Sequence, residues 1–197
     1  MHERARILVV AATTRELASP DGWLILKCGV GPVEAAAATA AAIVAHAPAM
    51  ILHVGIAGAR RHRALPPATL VIGSEARYCD LGVAEQWAPS VVAASPALVA
   101  AAARVLPAAP LLPIGTSARV GGTSECDVEA MEGFSVLRAA QRAGVPAIEI
   151  RAISNDIEEP DRARWHFEES FAAITRVTPE LVAEFERFLA EQGSGHA

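Results

Sequence analysis

Short apolar runs alternate with longer segments of helical character along the chain, and this alternation predicts the main elements of the fold. Runs rich in isoleucine and valine are typical of strands that are buried on both faces of a sheet. The predicted strands span 6–12, 22–29, 50–54, 68–76 and 148–156, with a further candidate at 111–120. The predicted helices span 33–46, 96–105, 129–143, 161–174 and 179–192. Strands that alternate with helices indicate an α/β layered fold around a mainly parallel sheet.

Two glycine-containing segments directly follow predicted strands. Gly29-Val30-Gly31-Pro32 turns the chain into an alanine-rich helix, and Pro32 fits the first helical position. Gly55-Ile56-Ala57-Gly58-Ala59 is a candidate ligand loop, because glycines let backbone N–H groups approach a bound group. It matches neither a Walker A loop nor the full dinucleotide fingerprint. A flexible turn is predicted at 121–124 and a frayed tail at 193–197.

Size and composition favour one globular domain over residues 1–197. Of the 197 residues, 52% are hydrophobic and 20% are charged, so the chain can bury one sizeable core but is too short for two ordinary domains. The net charge of -5 provides no basic field, and we do not expect nucleic acid as a partner. No apolar run reaches the roughly 18 residues that a membrane span needs, so we expect no membrane interaction.

The cysteines indicate a reducing compartment. Cys28, Cys79 and Cys126 are odd in number and widely spaced, without the paired spacing of metal ligands. Reduced thiols in a cytosolic protein are the simplest explanation. The amino terminus enters a strand without a signal-peptide pattern, which also favours a cytoplasmic location. We expect neither a metal nor a cofactor.

Polar side chains collect at the carboxyl end of the strand at 148–156. Ser154-Asn155-Asp156 ends that strand, and Pro160-Asp161 then opens a helix. Ligands of open α/β sheets lie outside the carboxyl ends of strands, so this cluster is a candidate site. Alternatively, the asparagine and aspartate only turn the chain, because both residue types favour turns and helix caps. Glu16 and Glu132 also fall at predicted openings of elements, and only the fold can bring them to this cluster.

Short motifs along nearly the whole chain resemble those of nucleoside phosphorylases and nucleosidases, and they occur in the same order. The motifs are Arg15-Glu16, Gly29-Val30-Gly31, Val54-Gly55-Ile56-Ala57-Gly58, Ser74-Glu75-Ala76-Arg77-Tyr78-Cys79-Asp80, Val128-Glu129-Ala130-Met131-Glu132-Gly133 and Arg151-Ala152-Ile153-Ser154. Within this superfamily the sequence is most similar to the futalosine hydrolase family and next to the 5′-methylthioadenosine/S-adenosylhomocysteine nucleosidases. The futalosine hydrolase family is favoured by one segment, Ser154-Asn155 followed by Asp161-Arg162-Ala163-Arg164-Trp165. The resemblance implies a three-layer α/β/α sandwich with a mixed central sheet, assembled as a homo-oligomer.

The resemblance also implies cleavage of the N-glycosidic bond of a purine nucleoside, a small-molecule substrate. Glu132 matches the family's ligand of the ribose hydroxyls, and Met131 matches the residue that packs on the sugar. A carboxylate at that position orients the ring and favours positive charge nearby. Glu16 matches the group that positions or deprotonates the attacking water. The alternative for Glu16 is a structural one, a first-turn carboxylate that faces a helix dipole.

Asn155 departs from the pattern of the adenine-specific nucleosidases, in which an aspartic acid follows the serine and acts as general acid at N7. An asparagine can instead donate its amide N–H to a 6-oxo oxygen while its carbonyl accepts from a protonated N7. That arrangement suits hypoxanthine better than adenine, because a buried polar group without a partner costs roughly 1 to 3 kcal/mol. A one-residue shift would instead give Asp156 the acid role and restore a preference for adenine.

Further positions are expected from the same resemblance to line the purine and sugar pocket. They are Ile56, Ala57 and Gly58 through their backbone, and Ser154, Arg119 and Val120. Trp165 either covers the site or anchors the core. Futalosine carries a benzoate carboxylate, for which Arg119 and Arg162 are the candidate partners. The alternative for both arginines is that they are solvated or paired on the surface.

The leading functional hypothesis is an enzyme that hydrolyses futalosine to hypoxanthine and dehypoxanthine futalosine, a step in menaquinone synthesis. Its enzymatic rival hydrolyses methylthioadenosine or S-adenosylhomocysteine, and phosphorolysis is a third reaction. The turn at Gly29-Val30-Gly31 lacks paired basic residues that would hold phosphate, which favours water. A non-catalytic nucleoside-binding module is the alternative of a different class, because the stretch between Asp80 and Pro96 is short for the superfamily.

Overall fold

The computed structural model describes residues 6–121 and 125–194, in which four α-helices flank a central sheet. The strands are β1 (Ile7–Ala11), β2 (Leu24–Lys27), β3 (Met50–Ala59), β4 (Leu70–Tyr78), β5 (Val91–Ala93), β6 (Leu111–Thr116), β7 (Val128–Ala130) and β8 (Ala147–Asp156). The helices are α1 (Pro32–His46), α2 (Pro96–Val105), α3 (Gly133–Arg142) and α4 (Phe167–Ser194), with single 3-10 turns at Thr14–Glu16, Arg61–Arg63 and Arg162–Arg164. The predicted flexible turn from residue 122 onward and the last residues of the predicted tail, 195–197, lie outside the described residues.

Helices cover both faces of the sheet, which confirms the predicted three-layer α/β/α sandwich. Helices α2 and α4 pack on one face, in a core cluster that includes Ile7 and Val9 of β1. Helices α1 and α3 pack on the other face, in a second cluster that includes Leu8 and Val10. Successive apolar side chains of β1 therefore point into opposite layers, which explains why the strand is an unbroken apolar run.

Strand pairing makes the sheet mixed and curls part of it into a closed ring. β3 lies parallel to β1 and to β8. From β8 the ring continues through an antiparallel pair with β4, a parallel pair of β4 with β6, and a parallel pair of β6 with β7. β7 then returns to β3 as an antiparallel partner, so five strands close into a small barrel. Parallel pairs outnumber antiparallel ones, and the mixed central sheet is confirmed.

The closed ring brings three distant segments of the chain side by side. Its interior is filled by small and β-branched side chains, among them Val71, Ile114 and Ile153. On β3, Gly58 pairs with Asn155 of β8 on one side and with Glu129 of β7 on the other. Pairing of backbones thus places Asn155 and Glu129 on either side of Gly58, and both residues border the same cavity.

The prediction that residues 55–59 form a loop is wrong, because β3 continues to Ala59. Its partners there are distant in sequence: Ala57 pairs with Ile153, and Gly58 pairs with Asn155. A register shift between Ala57 and Gly58 marks a bulge at this point. The backbone N–H groups of this segment are therefore mostly used within the sheet, although the segment still borders a cavity.

Three other boundaries differ from the prediction. Val128–Ala130 is strand β7, and helix α3 begins only at Gly133, because the three strand residues pair with β3 and β6. The predicted strand at 111–120 ends at Thr116. The hydrophobic pattern does not predict β5, a three-residue strand paired only with β4 among the described residues.

The last two predicted helices are one continuous helix, α4, which runs through Pro179. Proline removes a backbone donor and normally ends or kinks a helix. Side chains on both sides of the proline, Ile174 and Val177 before it and Leu181 after it, are buried in the same core cluster. Packing on the sheet therefore keeps the helix continuous. No helix in the described part of the chain is both long and apolar enough to span a membrane.

Candidate active site

A cavity of about 350 Å³ opens at the edge of the sheet where β1, β3 and β8 end. The segments after β1 and β7 line it, together with the segment before α4 and the first residues of that helix. This volume lies within the range of small-molecule sites, about 300 to 1,000 Å³. The location agrees with the rule that ligands of α/β sheets lie beyond the carboxyl ends of the strands.

Glu16 lies in the cavity wall and is fixed by three hydrogen bonds. One carboxylate oxygen accepts from the backbone N–H and the hydroxyl of Thr13, at 2.9 and 2.8 Å. The other accepts from the backbone N–H of Ile56 at 3.1 Å. The bond from the Thr13 N–H is the carboxylate half of a capping box on the 3-10 turn after β1. Glu16 therefore stabilises the first turn of the 3-10 helix, as its structural alternative expects. The same carboxylate borders the cavity, although only 4% of the surface of Glu16 is exposed.

Glu132 lies between β7 and α3 and lines the same cavity as Glu16. Its Oε1 accepts from the backbone N–H of Gly31 at 3.1 Å, and its Oε2 lies 3.5 Å from Nη2 of Arg151. Gly31 has a φ of 92°, which side-chain-bearing residues rarely adopt, so the turn that supplies this N–H requires glycine. Burial raises the pKa of the Glu132 carboxyl, whereas the charge of Arg151 and the N–H of Gly31 oppose that rise.

A buried charge network lies directly behind these two carboxylates. Nε of Arg151 donates to Oε1 of Glu149 at 2.7 Å, and Nη1 donates to the carbonyl of Ile56 at 3.3 Å. The ring of His53 lies 3.2 Å from Nη2. Burial lowers the pKa of His53 well below its usual value, and the charge of Arg151 lowers it further, so the ring is neutral at pH 7. Burial also raises the pKa of the Glu149 carboxyl, against the opposing effect of Arg151.

Arg151 remains charged although it is almost fully buried. Burial alone would lower the pKa of its guanidinium, but the carboxylates of Glu149, Glu132 and Glu16 outweigh burial and raise that pKa. A single guanidinium thus supports three carboxylates, two of which border the cavity.

Asn155 borders the cavity with an amide whose orientation is fixed. Its Nδ2 donates to the carbonyl of Asp156 at 2.9 Å, and its Oδ1 lies 2.8 Å from the hydroxyl of Ser154. Because a carbonyl only accepts hydrogen bonds, the Asp156 oxygen selects the NH₂ end of the amide. One Nδ2 hydrogen and one Oδ1 lone pair remain available to a ligand.

Asp156 and Arg119 do not line this cavity within the described part of the chain. The carboxylate of Asp156 points to the other side of β8, where Oδ2 accepts from Nε of Arg61 at 3.1 Å. It borders a separate, polar cavity instead. Arg119 donates its backbone N–H to the hydroxyl of Ser117 at 3.1 Å. The geometry therefore favours Asn155 over Asp156 and gives no support to Arg119 as a ligand.

Three aromatic side chains, those of Trp165, Phe167 and Phe171, form another part of the cavity wall. Trp165 and Phe167 have ring centroids 5.4 Å apart, and Phe167 stacks on Phe171 at 6.1 Å. The guanidinium of Arg162 lies 5.4 Å from the centroid of Trp165, at the cavity, and that of Arg15 lies 4.4 Å from the centroid of Phe171. Trp165 also donates its ring N–H to the carbonyl of Glu159 at 3.0 Å. It therefore both borders the cavity and ties down the segment before α4.

The fold brings most of the sequence-predicted site residues to one cavity. Those that line it are Glu16, Ile56, Ala57, Gly58, Val120, Met131, Glu132, Ser154, Asn155 and Trp165, together with Arg162. Sequence reasoning missed Thr13, Phe167 and Phe171. The spacing of Thr13 and Glu16 matches the capping-box pattern, and this pattern would have revealed Thr13. The spacing of Phe167 and Phe171 places both on one helix face, which would have revealed the others.

The arrangement combines two fixed carboxylates, one oriented carboxamide and an aromatic wall. Carboxylates accept hydrogen bonds from hydroxyl groups and water, whereas a carboxamide both donates and accepts. Aromatic faces bind flat or apolar groups. Residues 6–121 and 125–194 contain no group of three histidine, cysteine or acidic side chains that could hold a metal ion. The cavity can therefore orient a ligand that has several hydroxyl groups and a planar polar ring.

Comparison with known proteins gives one family match and several close relatives. The family model described as the Phosphorylase superfamily matches residues 21–120. The sequence is 38% identical over 192 residues to futalosine hydrolase of Streptomyces coelicolor, which covers 85% of this chain and 81% of the relative.

Among solved structures, futalosine hydrolase of Helicobacter pylori has a TM-score of 0.81 at 18% identity, covering 93% of this chain and 100% of the other. A 5′-methylthioadenosine/S-adenosylhomocysteine nucleosidase from Colwellia psychrerythraea, in complex with adenine, has a TM-score of 0.77 at 20% identity, covering 95% and 96%. At these identities the two structures establish the likeness of the fold.

Proposed function

The chain belongs to the phosphorylase superfamily and, within it, to the futalosine hydrolase family, and on that premise we propose that it splits futalosine into hypoxanthine and dehypoxanthine futalosine. The protein is an N-glycosyl hydrolase. The reaction adds water across the bond between C1′ of the ribose and N9 of the purine, so that the hydroxyl joins C1′ and the base leaves with a proton. We place this step in menaquinone synthesis.

The observation that carries this proposal is the convergence of Glu16, Glu132 and Asn155 on one cavity. Cleavage of the C1′–N9 bond develops positive charge on the sugar and negative charge on the purine. The site must therefore hold the sugar among negative groups, supply a donor to the base, and present a water molecule. The two carboxylates and the amide meet these needs from the carboxyl ends of separate strands.

Glu132 is the proposed ligand of the ribose hydroxyls. Its Oε1 is held by the N–H of Gly31 and its Oε2 lies near Arg151, so the carboxylate has little freedom to turn. A fixed carboxylate below the ring favours the developing positive charge without reorganising during the reaction. Met131 packs beside it as the proposed apolar contact of the sugar.

Glu16 is the proposed base that positions the attacking water. The donors from Thr13 and Ile56 orient both oxygens of a carboxylate that borders the cavity, and Oε1 accepts only one of these bonds. A general base acts only from hydrogen-bond distance, so such orientation is a condition for the role.

Asn155 is the proposed determinant of the base. With its NH₂ group held toward the Asp156 carbonyl, one N–H remains to donate to a 6-oxo oxygen, and the Oδ1 atom can accept from a protonated N7. A 6-amino group opposite the same N–H would leave two donors facing each other. This supports hypoxanthine over adenine as the released base.

Arg162 is the proposed partner of the benzoate carboxylate at the far end of futalosine. It borders the cavity and stacks near Trp165, so its guanidinium lies beside an aromatic wall that suits a benzoate ring. Methylthioadenosine has no carboxylate, and the carboxylate of S-adenosylhomocysteine is not attached to an aromatic ring. The contact of Arg162 with the ring of Trp165, next to Phe167 and Phe171, therefore supports futalosine.

We also propose that the chain forms a homo-oligomer. Val30 and Val120 line the cavity yet are 57% and 44% exposed, and nearby Val33 is 77% exposed. Apolar side chains at the mouth of a cavity are commonly covered by a second subunit. Sedimentation at micromolar concentration should give a particle larger than 20.5 kDa, and a monomer at all concentrations would contradict the proposal.

The proposed function predicts the outcome of a substrate panel containing futalosine, inosine, methylthioadenosine and adenosine. In phosphate-free buffer, futalosine should release hypoxanthine, and added phosphate should not change the rate. Chromatography of the products measures both. Release of adenine alone would establish the methylthioadenosine activity instead, and a requirement for phosphate would establish phosphorolysis. Binding of futalosine without turnover of any nucleoside would show a non-catalytic module.

Glu16→Gln should reduce kcat by about 100-fold or more, because the amide cannot accept a proton from water. Binding of futalosine, measured by calorimetry, should change little, since the amide still reaches Thr13 or Ile56. The matched control is Glu180→Gln, an exposed glutamate on α4 that should leave kcat unchanged. A Glu16→Gln variant with the kcat of the parent would exclude the proposed base.

Asn155→Asp should move the preference toward 6-aminopurine nucleosides, because a carboxylate accepts from an amino group but repels a 6-oxo oxygen. We expect the ratio of kcat/KM for inosine to that for adenosine to fall by about tenfold or more. Asp156→Asn is the matched control, since Asp156 lies on the other side of β8, and it should leave the ratio unchanged. If Asp156→Asn moves the ratio and Asn155→Asp does not, Asp156 rather than Asn155 contacts the purine.

A further inference from the structure

Glu149 is a fully buried carboxylate that does not line the cavity, and the proposed reaction gives it no role. It lies on β8 two residues before Arg151, so both side chains leave the same face of the strand. Its Oε1 accepts from Nε of Arg151 at 2.7 Å. Its Oε2 has no hydrogen-bond donor among the described residues.

The fold makes room for this pair with two glycines. A Cβ atom on Gly55 would overlap the Nη1 atom of Arg151, and a Cβ atom on Gly133 would overlap both oxygens of Glu149. Any side chain at either position would displace the charged group beside it. The space for Glu149 and Arg151 is therefore built from β3 and from the first residue of α3.

Stability alone does not explain this arrangement. Removing two charges from water costs free energy that their attraction often fails to recover, and apolar residues of similar volume are frequently as stabilising. Among the described residues, Glu149 also has no hydrogen-bond donor for its Oε2 atom, which adds to the free-energy cost of burying it. A function of the pair in the neighbouring cavity accounts for its presence.

The geometry connects Glu149 to both proposed catalytic carboxylates through Arg151. Glu149 holds Nε, and each of the two Nη groups contacts a residue that lines the cavity. Nη2 lies 3.5 Å from Oε2 of Glu132, and Nη1 donates to the carbonyl of Ile56 at 3.3 Å. The N–H of Ile56 in turn donates to Glu16 at 3.1 Å.

We propose that Glu149 is a positioning residue for N-glycosidic cleavage: it anchors Arg151 so that the guanidinium holds Glu132 in place, and its negative charge limits the pull of Arg151 on Glu132. This inference rests on the proposed function. Loss of the anchor would let the guanidinium turn toward Glu132 and displace the carboxylate that binds the ribose. Loss of the charge would leave Arg151 interacting more strongly with Glu132.

The charge effect has a definite sign. Burial raises the pKa of Glu132, and Arg151 opposes that rise, so removing the competing charge of Glu149 should lower the pKa of Glu132. The other groups that face this cluster are His53 from β3, which is neutral, and Glu16 from the turn after β1. Cys28 after β2 also faces it, and burial raises the pKa of its thiol to about 12, so it carries no charge.

Glu149→Gln tests the inference through two readouts on futalosine. The kcat should fall by about tenfold or more while KM changes less, because small misplacements of a catalytic group reduce the rate more than binding. The acidic limb of the kcat/KM profile, which reports ionisations of the free enzyme, should move to lower pH. A purely structural role would lower the melting temperature without moving that limb.

Glu184→Gln is the matched control, because Glu184 is also a buried carboxylate held by arginines, Arg104 and Arg187, but lies on α4 and does not line the cavity. The Glu184→Gln variant should have a lower melting temperature than the parent, whereas the acidic limb of its kcat/KM profile should lie at the same pH.

Glu149→Asp separates the anchor from the charge and is available if Glu149→Gln does not fold. The aspartate keeps the charge but is one methylene shorter, so kcat should fall while the acidic limb stays where the parent has it. A parental kcat in Glu149→Asp, or a parental kcat and acidic limb in folded Glu149→Gln, would overturn the inference. If the parent protein itself fails to cleave futalosine, the proposed function fails, which is a distinguishable result.

Discussion

The parallel pairing of β3 with β8 is the constraint on which the site depends. The two strands match from Ile51 and Ala147 to Ala59 and Asp156, and the register shifts at the bulge beside Gly58. This pairing places His53 beside Glu149 and Gly55 beside Arg151, which are the contacts of the buried charge network. It also sets the end of β8 beside the end of β3, so that Ser154 and Asn155 reach the cavity. A shift of one residue would turn Asn155 away and bring Asp156 inward, because neighbouring residues of a strand point to opposite faces.

The network behind the cavity explains how carboxylates can be kept in a buried site without excessive cost. Three carboxylates, Glu16, Glu132 and Glu149, surround the single guanidinium of Arg151. Glu16 and Glu132 are each supported in addition by backbone N–H groups, from Ile56 and from Gly31. These donors are fixed by the sheet and by the glycine turn, so they do not need to reorganise when charge develops on a ligand. Glu149 instead accepts from Nε of Arg151 at Oε1 and has no hydrogen-bond donor at Oε2 among the described residues, which is consistent with a role that acts through Arg151.

The layered fold was predictable from local pattern, whereas the extent of individual strands depended on distant partners. The apolar run of β1 and the helix at Pro96–Val105 are visible in the sequence because burial on fixed faces leaves a short-range pattern. The segment 55–59 looks like a loop because of its glycines, yet β8 supplies the ladder that keeps it a strand. Likewise, Glu129 lies in β7 only because β3 and β6 flank it, and no local signal reveals those partners. The family motifs indicated most of the cavity-lining residues, but the role of His53 becomes visible only in the folded chain.

On the proposed mechanism, an amide rather than an acid at Asn155 changes where the driving force for bond cleavage must come from. An asparagine has no ionisable proton, so it cannot deliver one to N7 as an aspartic acid can. On the proposed mechanism it can only recognise the 6-oxo group and stabilise a base that has taken its proton from elsewhere. The cleavage then depends more on the sugar side, where Glu132 must favour positive charge on the ribose. A site of this kind gains most from a ribose carboxylate that is fixed and ionised, and the positions of Arg151 and Gly31 around Glu132 meet that demand.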